Sequence, residues 1–474
     1  MTRAERLKSS PRYKWLVLWT VMGGLFSVNV TFTILAVALP RIAHDFHTSR
    51  NTMTWVITGT LLAFGVAAPS LGKAADQYGA KRIYQLGLIL SFFAAGLSAL
   101  AWGALPLIVI RTIGSLEGAA TGAASMAIVM RTFDRDERVK AMGWWSLVGA
   151  GGPVIGVVLG GFLLESFGWR VIFACQMPLI AAAFILGSVV LSETETLPPQ
   201  KFDVAGAATL SGGITALLFA INRGPELGWS SPVVIGAFVL SPVLLWLFVQ
   251  VERRTDAPLL SLDYLKKRAF AFPVASQSLA NFAYMGGFIL TPSLLQTVYH
   301  YTDEKIGLLV IARPLSFSIL SPVAGYLAVK IGQRTSAVVG TAFVVVSMGV
   351  FASLGGSSPN LLIILALMLS GIGLGISSPS VAAGVANAVE DHDLGVASAA
   401  QQLMNNVGIV SGIQLMTTIQ TSISHGTEGP AALPGFRAAY LVGGAVCVVG
   451  VLLATGVKNE HARPELHPEL FESF

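Results

Sequence analysis

The chain is 474 residues long with a formal net charge of +5, and 54% of it is apolar against only 12% charged. Soluble domains carry about 25% charged residues, so half that density cannot coat a water-soluble globule of this size. Most of the chain therefore belongs in lipid, in line with a mean hydropathy of +0.70.

A bilayer core about 30 Å thick takes roughly 20 apolar helical residues to cross. Stretches of that kind lie near 15–39, 53–72, 83–103, 105–130, 140–164, 170–191, 204–222, 232–251, 270–297, 306–329, 336–355, 360–388, 396–420 and 438–457. The reading is an all-α polytopic membrane protein with fourteen transmembrane spans. The first span is too long for a removable signal and lacks a small-residue cleavage site, so it is read as an anchor. Basic residues test the count. About 22 of the 30 Lys and Arg fall on the N-terminal side of the membrane, among them Lys8, Lys73, Lys81, Arg82, Arg131, Arg135, Arg138 and Arg268. Positive loops stay in the cytoplasm, so both termini are expected there, in a cell (inner) membrane. The positive charge thus concerns orientation, and no nucleic-acid partner is expected. Cys175 and Cys447 sit in apolar runs, which excludes a disulfide framework.

The first span carries Asn29, Thr31 and Thr33 near mid-membrane. The loop after it holds His44, Asp45 and His47, too few ligands for a metal site. The second span ends in Pro69-Ser70-Leu71-Gly72-Lys73-Ala74-Ala75-Asp76-Gln77-Tyr78-Gly79-Ala80-Lys81-Arg82. Gly72 and Gly79 allow close backbone approach, and Asp76 is suited to the N-terminus of a neighbouring helix. These residues, with Lys81 and Arg82, are expected to form a gate latch; the bland alternative is a loop that only fixes orientation.

The fourth span contains Arg111 and Glu117 with Gly114, Gly118 and Gly122 between and after them. Each buried charge costs about 2.5–3.5 kcal/mol on insertion scales unless paired or hydrated. Six residues of ideal helix separate them by roughly 240° and about 9 Å, which predicts that they do not pair side by side. Glu117 is expected to face a wet cavity or a cation from elsewhere, and desolvation favours the protonated form of a carboxyl. In the fifth span Gly149 precedes Gly152, Gly156 and Gly160, which fall every fourth residue and form one smooth face, and Pro153 adds a bend or weak point. The ninth span places Gln277, Asn281 and Tyr284 on one face, the tenth buries Arg313, and the thirteenth carries Gln401, Gln402, Asn405 and Asn406. Arg313 could pair across the molecule, bind an anion or snorkel outward. With Asn29 and Thr31, the amides and Tyr284 are read as lining a substrate cavity, or else as hydrogen-bonding between helices.

The tenth span ends like the second: Pro322, Gly325, Gly332 and Arg334 repeat Pro69, Gly72, Gly79 and Lys81 at identical spacing. Gly408 and Gly412 of the thirteenth echo Gly152 and Gly156 of the fifth. Both echoes join spans eight apart, which predicts two related six-helix bundles with two helices inserted between them. The expected division is 1–14 basic tail, 15–192 first bundle, 193–268 linker with the inserted pair, 269–457 second bundle and 458–474 tail. Two related halves about a central cavity are a secondary-transporter architecture, and no GxxxxGK[ST] phosphate loop is present.

At this point the residues resemble the major facilitator superfamily, in particular its fourteen-helix drug:proton antiporter branch. The run Gly72–Arg82 is similar to the family's loop 2–3 signature, and Gly149-Ala150-Gly151-Gly152-Pro153-Val154-Ile155-Gly156 to its antiporter signature. Ala38-Leu39-Pro40, Trp55, Thr58, Gly168-Trp169-Arg170 and the stretch Phe202–Trp229 match as well. The resemblance implies a major-facilitator fold and alternating access, with Arg111 in proton coupling and the glycine face of span five setting the direction of transport. Glu117 is read as the proton carrier because it is the acidic group left inside a span, or else as a structural partner of Arg111 or another cation. Two departures stand out: Gly114 and Ser115 replace the residues expected after Arg111, and Thr31 stands where the branch usually has an aspartate. The function expected is proton-coupled export of amphiphilic small molecules by a monomer, with no enzymatic activity and no cofactor. Alternatives are a uniporter or uptake carrier, or a lipid or metabolite exporter, without proton coupling. A membrane-embedded enzyme or sensor would need a catalytic cluster, and the sequence offers none.

Overall fold

The computed structural model describes residues 12–48, 50–135, 137–148, 166–193, 203–255, 262–424, 427 and 429–457. Long apolar runs leave the backbone no partner but itself, so helix is the only local solution in lipid, and the described residues contain no strand. The first half comprises α1 (Tyr13–Asp45), α2 (Arg50–Tyr78), α3 (Ala80–Ala99), α4 (Ala104–Gly114), α5 (Leu116–Thr132), α6 (137–148) and α7 (Trp169–Val190). The inserted pair is α8 (Val204–Leu227) and α9 (Pro232–Glu252). The second half comprises α10 (Leu262–Lys266), α11 (Arg268–Thr297), α12 (Asp303–Val310), α13 (Ala312–Ile331), α14 (Gln333–Ser353), α15 (Asn360–Asn387), α16 (Leu394–Ser424) and α17 (Leu433–Ala454). Nine stretches among the described residues are long and apolar enough to cross a membrane. Large side chains such as Phe93, Leu97, Ile185, Val239, Leu361 and Leu452 stand exposed around the outside, which a water-facing surface would not tolerate but a lipid-facing one requires.

Glycines set the corners of the repeat. Gly79 caps α3 with φ 98° and Gly332 caps α14 with φ 89°, a left-handed backbone that a Cβ would strain. The matching motifs thus make matching turns. Within the first half α3 packs on α5 and α7, and α1 on α7; within the second α14 packs on α15 and α17, and α11 on α16 and α17. Close packing of α16 on α11 follows from Gly408 and Gly412, where a Cβ would run into the backbone of Ser278 and Phe282. The inserted α8–α9 hairpin stays peripheral: only Val234, Ser241, Phe248 and Glu252 of α9 are buried. Through Leu210, Ile214 and Leu218 it rests on Leu403 and Val410 of α16, and α8 also meets α2.

The span expected at 105–130 as one helix is interrupted at Ser115, between α4 and α5. One hydroxyl accounts for it: Ser115 Oγ donates to the Thr112 carbonyl at 2.6 Å, competing with the helix's own amides. Thr60 Oγ1 adds a bond at 3.2 Å to the Arg111 carbonyl, which still accepts from the Ser115 amide at 3.0 Å. Gly149, Gly152, Pro153, Gly156 and Gly160 lie outside the described residues, as do the side chains of Asn29 and Thr31.

Candidate functional site

Arg111 Nη1 stands 3.7 Å from Glu117 Oε1, both side chains only 4% exposed. Against the expectation that they do not pair side by side, the two meet at Coulombic distance, because the long arginine stem reaches across while Ser115 keeps helical backbone angles (φ −60°, ψ −17°). The site is sealed inside the first half, with the Arg111 guanidinium over the Phe173 ring of α7 at 5.7 Å and Gly87 of α3 against Thr121 and the Glu117 carbonyl. Glu117 therefore faces neither lipid nor an open cavity. The pair is loose: at 3.7 Å it is Coulombic contact rather than a hydrogen bond, and Glu117 Oε2, Arg111 Nε and Arg111 Nη1 have no hydrogen-bond partner. Two buried charges held this weakly keep a large share of their desolvation cost.

The second element is the seam between the halves at the basic end of the bundle. Asp76, at the end of α2 and 1% exposed, accepts from the backbone amides of Gly395 and Val396 at 2.9 Å each, the first turn of α16. Arg131 Nη2 donates to Asp76 Oδ1 at 2.6 Å. The carboxylate thus meets both a helix N-terminus and a guanidinium. Gly72, one turn earlier, has no room for a side chain: a Cβ there would lie 2.6 Å from the Gly395 carbonyl oxygen. The repeat partner of Gly72 makes the related contact. A Cβ on Gly325 of α13 would lie 2.8 Å from the Val139 carbonyl oxygen and 3.3 Å from Gly143 Cα of α6, and Ser321 Oγ donates to the Gly143 carbonyl at 3.0 Å. Around this second seam Val139, Ala328, Ala383 and Val329 form an apolar patch.

Residues that the sequence reading passed over complete the closure. Arg138, 3% exposed, donates to Asp391 Oδ1 at 2.8 Å, to Asn387 Oδ1 at 3.1 Å and to the Met130 carbonyl at 2.8 Å. The Arg138 hydrogen bond holds the Asp391 carboxyl below the usual carboxylate range. Asp393 accepts from the Tyr264 hydroxyl at 2.7 Å. The acidic run before α16 is engaged residue by residue, and Asp76 takes the helix terminus. The available signal was opposite charge on loops that the repeat places at one end.

Other expected residues are placed elsewhere. Lys81 Nζ donates to the Ser188 and Leu191 carbonyls at 3.1 and 2.7 Å, and Arg82 lies 3.6 Å from Glu193 with both side chains mostly exposed. Both cations tie α3 to the end of α7 within one half, because the left-handed turn at Gly79 directs them away from the seam; they do not join the latch. Arg313 does not snorkel and makes no ion pair among the described residues. It is 0% exposed, donates Nη1 to the Tyr284 carbonyl at 3.1 Å, and lies over the Tyr284, Phe288 and Phe351 rings at 5.4, 6.0 and 5.5 Å. Arg313 and Tyr284 thus belong to the interior of the second half. Gln277 and Asn281 are buried on the same face of α11, and Asn281 Nδ2 donates to the Gln277 carbonyl at 3.0 Å. On α16 Gln402 sits against Gly122 of α5, across the halves, and amide atoms of Gln401, Gln402, Asn405 and Asn406 have no hydrogen-bond partner. His44 and Asp45 stay 3.8 Å apart, with Asp45 accepting from Trp169 Nε1 at 2.9 Å. No group of three His, Cys, Asp or Glu that could hold a metal exists among the described residues.

Two helical bundles of related topology, joined by glycine-lined seams and each burying charge, define a membrane transporter of the secondary type. Comparison with known proteins gives the family: the Major Facilitator Superfamily model matches residues 21–413 and 276–472, and the chain belongs to that family. Curated relatives include the multidrug resistance protein Stp of Mycobacterium tuberculosis (strain ATCC 25618 / H37Rv), 28% identical over 84% of this chain and 74% of its own. The puromycin resistance protein pur8 of Streptomyces alboniger is 28% identical over 94% of this chain and 90% of its own. Multidrug resistance protein 3 of Bacillus subtilis (strain 168) is 27% identical over 86% and 80%. Among solved structures, the human organic anion transporter MFSD10 superposes with a TM-score of 0.68 at 15% identity, covering 94% of this chain and 100% of that one. The proton:xylose symporter XylE superposes with a TM-score of 0.64 at 14% identity, covering 95% and 98%. The chain is accordingly an all-α major-facilitator membrane transporter and not an enzyme.

Proposed function

We propose that this chain exports amphiphilic small molecules from the cell in exchange for protons, by alternating access in the inner membrane, as a monomer with both termini cytoplasmic. The observation that carries the reading is the loose, sealed Arg111–Glu117 pair at the Ser115 break. Protonating Glu117 releases Arg111 from its partner and removes one buried charge, a change large enough to bias a rocking equilibrium. Span one has Thr31 where the branch usually has an aspartate, which leaves Glu117 to carry the proton. Names of relatives as drug-resistance proteins support the export of drug-like amphiphiles. The unpartnered amides of α16 beside Gly122 offer hydrogen bonds without fixed charge, a lining suited to weakly cationic or neutral amphiphiles. The halves are 15–192 and 269–457. With the basic end taken as cytoplasmic, Asp76 closes the inner gate at α16, Gly72 provides the close approach, and Gly79 turns the chain there.

The test is ethidium transport in proteoliposomes with an imposed pH gradient. Accumulation should require the gradient, and Glu117→Gln should abolish gradient-driven accumulation while leaving facilitated ethidium equilibration measurable. Equal accumulation without a gradient, unaffected by Glu117→Gln, would establish the uncoupled carrier instead.

A further inference from the structure

At the basic end of the second half a cavity of about 450 Å³ opens where α11 and α14 begin and α15 ends, lined by Lys267, Arg268, Ala269, Gln333, Gly384, Asn387 and Ala388. Among the described residues its lining holds two cations, two amide side chains and no carboxylate. Among the described residues neither cation is ion-paired; Lys267 has only the Tyr264 ring at 4.7 Å, and the acids nearby are engaged elsewhere. Asp391 is held by Arg138, Asp393 accepts from Tyr264, and Glu390 lies 3.4 Å from His392. Both α11 and α14 begin at lining residues, and a helix start is a further attraction for negative charge. Helix starts alone attract anions weakly; here the cavity and the two open cations accompany them.

The related corner of the first half makes the contrast. There α1 begins with Tyr13, whose hydroxyl donates to the Val190 carbonyl at 2.9 Å, and Lys14, which is closed by Glu137. That lysine is neutralised from within the chain. The counterpart corner keeps its charge and its space, and two residues before Lys267 and Gln333 of the lining stand the exposed apolar side chains Leu265 of α10 and Ile331 of α13. A group that satisfies both features is a phosphate monoanion or diester, with alkyl chains following those apolar residues if it is carried by a lipid.

We propose that this cavity is a binding site for a phosphate-bearing anion, of the size of an anionic phospholipid headgroup. The pocket shares Asn387 with the inter-half closure, since Asn387 Oδ1 accepts from Arg138, so the bound anion would border the contact that shuts the basic end. Basic pockets on the cytoplasmic side of membrane proteins face a leaflet rich in anionic lipid, where each cation strengthens binding about fivefold.

The experiment titrates the purified full chain in neutral detergent with short-chain phosphatidylglycerol, short-chain phosphatidylcholine and inorganic phosphate, read by thermophoresis. The lipid anion should bind and the zwitterion should not, and Lys267→Ala/Arg268→Ala should weaken binding roughly thirtyfold. Arg268→Lys, which keeps the charge, should stay within about threefold of the native chain, and an unchanged thermal midpoint in every variant would show that folding is intact. Phosphate as tight as phosphatidylglycerol assigns the site to a soluble anion, and weaker phosphate assigns it to lipid; both sustain the site. Equal affinity of native chain and double variant, or equal affinity for the zwitterionic lipid, overturns it.

Discussion

The two seams between the halves share a backbone plan and differ in chemistry. Gly72 meets the Gly395 carbonyl and Ala399, and its repeat partner Gly325 meets the Val139 carbonyl and Gly143. Both seams therefore rest on helices approaching to backbone contact, a geometry only small residues permit. At the α2–α16 seam the next turn brings Asp76 to two backbone amides and Arg131; at the α6–α13 seam it brings Val329 to Val139 and Ala383. A buried carboxylate with three donors makes closure steep and geometrically specific, whereas an apolar contact allows sliding. One seam thus acts as latch and the other as hinge, and a pseudo-symmetric scaffold acquires direction from one charged side chain.

Removing the latch should have the largest effect. Asp76→Ala strands Arg131 and the first amides of α16; breaking a buried pair of this kind costs about 3–5 kcal/mol. Double electron–electron resonance between labels on the basic ends of α2 and α16 should show the closed distance replaced by a longer one, with ethidium export reduced more than tenfold. A closed population equal to the native one would remove Asp76 from the latch.

The glycine seam should respond next. Gly325→Ala places a methyl 2.8 Å from the Val139 carbonyl oxygen, and overpacking of this order costs typically 1–3 kcal/mol. The thermal midpoint should fall by several degrees and the basic end should open partly. An unchanged midpoint would mean that the hinge seam can slide enough to accept a side chain.

A third test asks whether charge can be moved between seams. Val329→Asp buries part of a carboxylate beside Val139 and Ala383 without the donors Asp76 enjoys, and an unpaired polar group there destabilises. Closure at the basic end should weaken severalfold, by the same resonance distances, although the variant sits at the exact repeat position of the latch. Tighter closure would show that the α6 terminus can receive a carboxylate as α16 does.

The smallest effect belongs to Asp391, whose side chain is 67% exposed. Its carboxyl lies below the ordinary range because Arg138 hydrogen-bonds it, so its contribution to closure is complete above the ordinary carboxylate range and lost as pH falls through the depressed value. The Asp391 contribution to closure should be constant near neutrality and fall only in strong acid, and Asp391→Asn should remove that acid limb while changing neutral-pH export less than twofold. Loss of export at neutral pH in this variant would give Asp391 a part in the latch itself.

Local pattern made much of this legible before any coordinates. Span length, the basic-loop alternation and the matching Pro–Gly–Gly–cation motifs each reflect constraints acting within one or two turns of chain, and they indicated an all-α repeat with Asp76 at a helix terminus. The glycine turns are similar: Gly79 and Gly332 need a left-handed backbone wherever the rest of the molecule lies. The pairing of Arg111 with Glu117 was not legible because it depends on how the long arginine side chain lies against Phe173 of another helix, which spacing along one helix does not record. Arg313 was ambiguous for a related reason, since one helix cannot say whether its ends face lipid or the rings of Tyr284, Phe288 and Phe351.

What the amino-acid sequence determined alone is the membrane, the helices and the duplicated plan, because hydrophobic length and backbone satisfaction in lipid act on each segment independently. What tertiary structure decided is which charges meet: Asp76 with α16 and Arg131, Arg138 with Asp391, Lys81 with the end of α7. Coulombic and hydrogen-bond partners are fixed by the last few ångströms of helix packing, and a side chain's identity carries no record of which neighbour that packing will bring.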